Sequence, residues 1–291
     1  MDALGCALLP ASCALCGYPL PRLSPVPICD VCWMEFPIQS GPLCARCGDT
    51  IAAPAINSAS GLCRPCRLAP PPFERAVAYG PYEGRMKAAI HALKYDRLHA
   101  AVRGLGRMLA EAIDQLAGEA PSMMLVVPVP LHKSKYAQRG FNQARSLAGH
   151  ALTFLGKSHP EWRLTLASST LMRLRVTASQ AGLTPRQRRL NVKGAFTVSD
   201  PAAVAEKHIL LIDDIFTTGA TARSAAKALK DAGAASVWVA TLARARLLGY
   251  HRRGAFSSLD DAEENSGLAS NVQDVNLQRT FTFSSHDHSS Y

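Results

Sequence analysis

The chain has 291 residues, 48% of them apolar, and a formal net charge of +10. That length accommodates one good-sized core and a small additional module. No stretch approaches the roughly 20 apolar residues of a membrane span. Met1–Pro10 lacks the basic flank of a signal peptide. A membrane-spanning or exported chain is therefore disfavoured and a cytoplasmic one expected. The charge is uneven: residues 1–72 carry four basic and four acidic side chains, and the tail, 250–291, three basic and six acidic. Between Ala120 and Ser199 stand twelve Lys or Arg against a single acid, Glu161. Such a bias suits a polyanionic ligand, nucleic acid, or both.

The chain opens on a cysteine-rich module. Eight of the nine cysteines form four Cys-x-x-Cys pairs: Cys13/Cys16, Cys29/Cys32, Cys44/Cys47 and Cys63/Cys66. Each pair turns two sulfurs toward one centre, and two pairs complete a tetrahedral Zn²⁺ site. Zinc is preferred to disulfides because nothing suggests export. Two structural zinc sites are expected within residues 1–68, with sequential and interleaved pairings both open and Cys6 left over. The Pro-rich segment 69–72 reads as a stiff linker and a boundary, followed by a second domain over 73–249.

In that domain Ala76–Tyr79 reads as a strand, and Glu83–Leu93 and Leu98–Leu116 as amphipathic helices. Met123–Val129 is a continuous apolar run, expected as a buried strand. It leads into a basic turn containing His132, Lys133 and Arg139, then a helix over Gln143–Leu155. Ile209–Ile212 is a further buried strand, Ala220–Ala232 a helix, and Ser236–Leu242 the next strand. Strands alternating with helices imply an α/β fold with a parallel sheet, whose ligands gather at the strands' C-terminal ends. The segment 250–291 is polar and Ser-rich and reads as a disordered tail.

The most informative stretch is Ile209–Thr221. The apolar strand ends at Asp213 and Asp214, and Thr217, Thr218, Gly219, Ala220 and Thr221 then open a helix. Two adjacent carboxylates repel, so something should offset them. A helix N-terminus with free N–H groups is an anion site. The segment thus offers carboxylates for sugar hydroxyls beside a cradle for a phosphate.

That stretch resembles the signature of type I phosphoribosyltransferases, which bind 5-phosphoribosyl-1-pyrophosphate (PRPP). The resemblance implies that Asp213 and Asp214 contact the ribose hydroxyls and that Thr217 to Thr221 wrap the 5′-phosphate, with Mg²⁺ carried on PRPP. It also assigns the pyrophosphate to the loop bearing His132, Lys133 and Arg139, and to a mobile basic flap. The flap is Arg173 to Phe196, including Arg175, Gln180, Arg186 and Arg189, with five arginines, a lysine and no acid. Taken with the cysteine module, residues 13–249 resemble the ComF-type competence family: a double zinc ribbon followed by a phosphoribosyltransferase domain. This implies a role in DNA uptake, with PRPP, single-stranded DNA and other DNA-uptake or recombination proteins as partners. An alternative reading is a non-catalytic single-stranded-DNA-binding factor, with PRPP as regulator. No acceptor substrate is legible, and the resemblance offers nothing for the tail.

Overall fold

The computed structural model describes residues 12–22, 24–51, 61–95, 98–175, 187 and 194–246. Cys6, the tail, and Gln180, Arg186 and Arg189 of the basic flap lie outside them.

Five parallel strands form the main sheet in the order β1-β7-β6-β2-β3. They are β1 (Ala76–Pro81), β2 (Met123–Pro128), β3 (Arg163–Leu166), β6 (His208–Phe216) and β7 (Ser236–Arg244). The central β6 shows why its run is continuously apolar. Leu210 and Ile212 join one core, Ile209 and Leu211 the other, and all four are fully buried. A strand covered on both faces cannot alternate with polar residues. On one face lie α3 (Gly84–Tyr95), α4 (Val102–Asp114) and α6 (Gln143–Ser158), and on the other α7 (Ala220–Asp231).

Several elements differ from expectation. The strand expected over Ile209–Ile212 continues through both carboxylates to Phe216, because β7 pairs with it as far as Phe216 opposite Arg244. The basic turn contains a short helix, α5 (Lys133–Arg139). β3 was not anticipated: it is an edge strand, largely exposed and charged at its first residue, so its sequence carries no burial signal. A second, antiparallel pair, β4 (Leu171–Arg173) with β5 (Phe196–Val198), closes the base of the basic flap.

The cysteine module is built of two similar units. Antiparallel bridges between Ser12 and Pro19, and between Leu43 and Thr50, close the first knuckle of each. The second pair of each begins a single helical turn, α1 (Asp30–Met34) and α2 (Arg64–Leu68). The module covers the exposed edge of β1. Gln39 N–H donates to Tyr79 O (2.9 Å), and Ala76 N–H donates to Arg46 O (2.9 Å). An uncovered edge would invite pairing with other chains. The segment 69–72 is also held: the Ala69 carbonyl accepts from Arg223 on α7 (2.9 Å).

Gly80 on β1 is required by this seam, since a Cβ there would lie 1.8 Å from the Pro37 carbonyl oxygen. Both partners are backbone, so neither yields cheaply. Gly80→Ala is expected to cost about 1–3 kcal/mol by overpacking. At this chain length that lowers the melting temperature by roughly 2–10 °C, which scanning calorimetry would resolve; an unchanged melting point would show that the module is not packed against β1.

Candidate functional site

The eight paired cysteines form two clusters. The sulfurs of Cys13, Cys16, Cys29 and Cys32 lie within 4.8 Å of one another, as do those of Cys44, Cys47, Cys63 and Cys66. The pairing is therefore sequential. A tetrahedron with metal–sulfur bonds of about 2.3 Å has edges of about 3.8 Å. The separations are 3.7 Å for Cys13 to Cys32, 3.8 Å for Cys16 to Cys29 and 3.6 Å for Cys47 to Cys63. Backbone N–H groups of Leu15 and Cys29 donate to Cys13 Sγ, and that of Cys63 donates to Cys44 Sγ. Such bonds stabilise thiolates. Both sites fit structural Zn²⁺, with four protein ligands and no open position for catalysis.

A separate cavity of about 480 Å³ opens at the C-terminal ends of β6 and β2. Asp213, Asp214, Thr217, Gly219, Ala220 and Thr221 line it. Thr218 does not; its hydroxyl accepts from the Ala220 N–H (3.4 Å) at the start of α7. Gly219 has φ +73°, and a Cβ there would meet the Phe216 ring at 2.5 Å. Both facts demand glycine.

The repulsion between the two carboxylates is offset by a lysine that the sequence reading did not single out. Lys94, at the end of α3, forms an ion pair with Asp214, the two side chains being only 17% and 6% exposed. Burial opposes the charge on Asp214, but Lys94 outweighs it and holds that carboxyl below its ordinary 3.8. Asp213 responds in the opposite direction. Burial, then the Asp214 charge, push it well above 3.8. Adjacent carboxylates in different environments thus titrate far apart. Gln143, buried at the start of α6, extends the network: its amide also lowers the Asp214 pKa, and it accepts from Arg139 (3.3 Å). Arg139 also donates to the Tyr95 hydroxyl (3.4 Å) and lies over that ring (5.2 Å to its centroid).

The basic loop is placed only partly as expected. Arg139 lines the cavity, joined by Lys135. His132 instead accepts from Ser134 N–H and caps α5, and Lys133 is exposed; neither lines the cavity. From the flap, Arg173 reaches the cavity across the Phe196 ring (5.3 Å), while Arg175 is exposed. Burial, followed by the Arg173 and Arg139 charges, lowers the Lys135 pKa. Lys94, Lys135, Arg139 and Arg173 thus face two carboxylates across one cavity. An anionic ligand would relieve that excess of positive charge.

Two family models match the chain. A model of the double zinc ribbon domain matches residues 5–67, and one of the phosphoribosyl transferase domain matches 146–275. The DNA utilization protein YhgH of Salmonella typhimurium is 34% identical over 239 residues, covering 81% of this chain and 98% of its own. Competence protein F of Haemophilus influenzae is 28% identical, covering 75% of this chain and 90% of its own. Competence protein ComFC of Streptococcus pneumoniae is 36% identical over 118 residues, covering 40% of this chain and 47% of its own. The chain belongs to the ComF-type competence family.

Among the cavity residues of this family member, Lys94, Tyr95, Lys135 and Gln143 are given no role by the sequence motifs. Lys94 and Tyr95 end an amphipathic helix, where a cation is already explained by the helix dipole. Gln143 reads as an ordinary first-turn residue. Only the packing of α3 and α6 over β6 brings them to the carboxylates. The aromatic rings of the zinc module and the basic turn divide similarly: Trp33 packs on Phe36 (5.4 Å), and Phe141 on His99 (4.2 Å), whereas Tyr136 is exposed. Among the described residues, no helix is long and apolar enough to cross a membrane.

Proposed function

We propose that the cavity binds PRPP, with Mg²⁺ as its counter-ion, and that the protein acts in the cytoplasmic handling of DNA during uptake. The observation that carries this reading is the carboxylate pair beside the Thr217–Thr221 loop in a cavity with four cations. Asp213 and Asp214 would hold the ribose hydroxyls. The loop's N–H groups and hydroxyls would take the 5′-phosphate, and Arg139, Lys135 and Arg173 the pyrophosphate. The names of the Haemophilus and Salmonella relatives supply the DNA context. Transfer to an acceptor would break the bond from the anomeric carbon to pyrophosphate through an oxocarbenium-like state, the cations taking up the leaving charge. Titration calorimetry of zinc-loaded protein with PRPP and Mg²⁺ tests the site. Saturable binding supports it, and no heat at millimolar PRPP overturns it.

One observation favours a second role, binding of single-stranded DNA. Lys133, Arg145, Lys157, Arg163 and Arg175 are exposed along the strongly basic segment. Phosphate contacts make affinity salt-dependent, with a slope of about −0.7 per phosphate on single strands. Four contacts predict a loss of roughly 50-fold between 50 and 200 mM salt. Fluorescence anisotropy with a labelled oligonucleotide measures it, and salt-insensitive or absent binding would remove this role.

A further inference from the structure

We infer that Arg244 couples the second zinc site to the loop that holds the 5′-phosphate, so that PRPP and this zinc each tighten the other's binding. This rests on the PRPP reading of the cavity. Arg244 is the last residue of β7 and is 4% exposed. Its Nη2 lies 3.6 Å from Cys47 Sγ and 3.4 Å from Asp49 Oδ2. Its guanidinium stacks on Phe216, 4.2 Å from the ring centroid. Phe216 in turn sits under Gly219, the residue that turns the loop into α7. Backbone bonds reinforce the contact: Ala245 N–H donates to Phe216 O (2.9 Å), and Tyr82 N–H, from the cavity wall, donates to Arg244 O (2.8 Å).

A second tether runs in parallel. Ala69, three residues beyond Cys66, accepts from Arg223 (2.9 Å), whose own N–H donates to Gly219 O (2.8 Å). The sulfurs of the second site share one core with Phe73, Phe216 and Ala220, whereas Cys13 and Cys32 of the first site belong to the opposite core with α3 and α4. The first site therefore supplies an internal control.

The electrostatics explain why the link depends on metal. Four thiolates around Zn²⁺ retain two negative charges, and a buried guanidinium needs such a counter-charge. Neither Nε nor Nη1 of Arg244 has a hydrogen-bond partner among the described residues. The guanidinium is thus held by charge and by the Phe216 ring rather than by a full set of hydrogen bonds. Losing the zinc removes the larger part of the charge that seats it and leaves only Asp49 beside it among the described residues. The ring beneath Gly219 then loses its support, although no residue facing the phosphate has changed. Coupling between two binding equilibria is reciprocal and commonly about 5- to 150-fold.

The test uses the full zinc-loaded chain and the chromophoric chelator 4-(2-pyridylazo)resorcinol. Zinc release is followed with and without PRPP and Mg²⁺, the phases being assigned with Cys16→Ser, which cripples only the first site. PRPP is expected to slow release from the second site by at least about fivefold and to leave the first unchanged. In Arg244→Lys, zinc content should stay at two per chain, while PRPP affinity falls and protection disappears. Equal slowing at both sites, or none at either while calorimetry shows PRPP bound, overturns the coupling. Absence of any PRPP heat overturns the cavity reading instead, and the coupling with it. If Arg244→Lys does not fold, the unmodified chain still decides by comparing its two sites.

Discussion

Asp213→Asn is expected to weaken PRPP binding by roughly 10- to 100-fold without lowering the melting temperature. A hydrogen bond to a charged group contributes about 1.5–3 kcal/mol, which converts to that range. The stability half of the prediction follows from linkage. Asp213 titrates well above 3.8 in the folded chain. A carboxyl with a raised folded pKa costs stability as pH rises above its unfolded value, so at pH 7 the amide leaves the fold unharmed or firmer. Asp214→Asn behaves oppositely. Lys94 holds Asp214 below 3.8, so its contribution is present above that value and lost as pH falls through the folded one. Replacing Asp214 strands Lys94 in a buried position, and breaking such a pair costs about 3–5 kcal/mol. This variant should lose both affinity and thermal stability. The double variant should bind no measurable PRPP, the loss seen in Asp213→Asn showing that misfolding is not the cause. Calorimetry of binding and of melting on the three variants gives both readouts. Unchanged PRPP affinity in Asp213→Asn would remove the carboxylate from the site.

The second large effect concerns zinc. Stripping both sites with a strong chelator is expected to unfold the cysteine module. Binding at structural sites of this kind contributes on the order of 10–16 kcal/mol in small peptides, as much as the whole stability of an ordinary domain. Over residues 12–68, the described segments hold only two five-residue helices and two isolated bridges, so little else maintains the chain there. The consequence should extend beyond the module, because it covers the β1 edge through Gln39 and Arg46. Metal-free protein should therefore aggregate or pair through that edge. Native mass spectrometry should count two zinc ions per chain before treatment, and hydrogen exchange should report lost protection over 12–51 and along β1. Protection unchanged after complete zinc removal would show that the thiols are not structural ligands.

Sequence alone determined the elements whose signal is local. Four Cys-x-x-Cys pairs dictate two metal sites because spacing sets the reach of the sulfurs. A four-residue apolar run dictates a strand covered on both faces, and Asp213 to Thr221 place carboxylates and a helix start within one short stretch of chain. What remained was decided by packing across long sequence distances. The sequential pairing of cysteines depends on how each knuckle meets its partner helix. β3 is an exposed edge strand, and only its pairing with β2 defines it. Lys94 and Gln143 reach Asp214 because α3 and α6 cover the same face of β6. Arg244 reads as a cation ending a strand until the fold brings Cys47, nearly two hundred residues away, to its guanidinium. Periodicity and turn chemistry report neighbours along the chain. The charges that tune a carboxylate, and the side chain that seats a loop, come from elements that only the tertiary fold brings together.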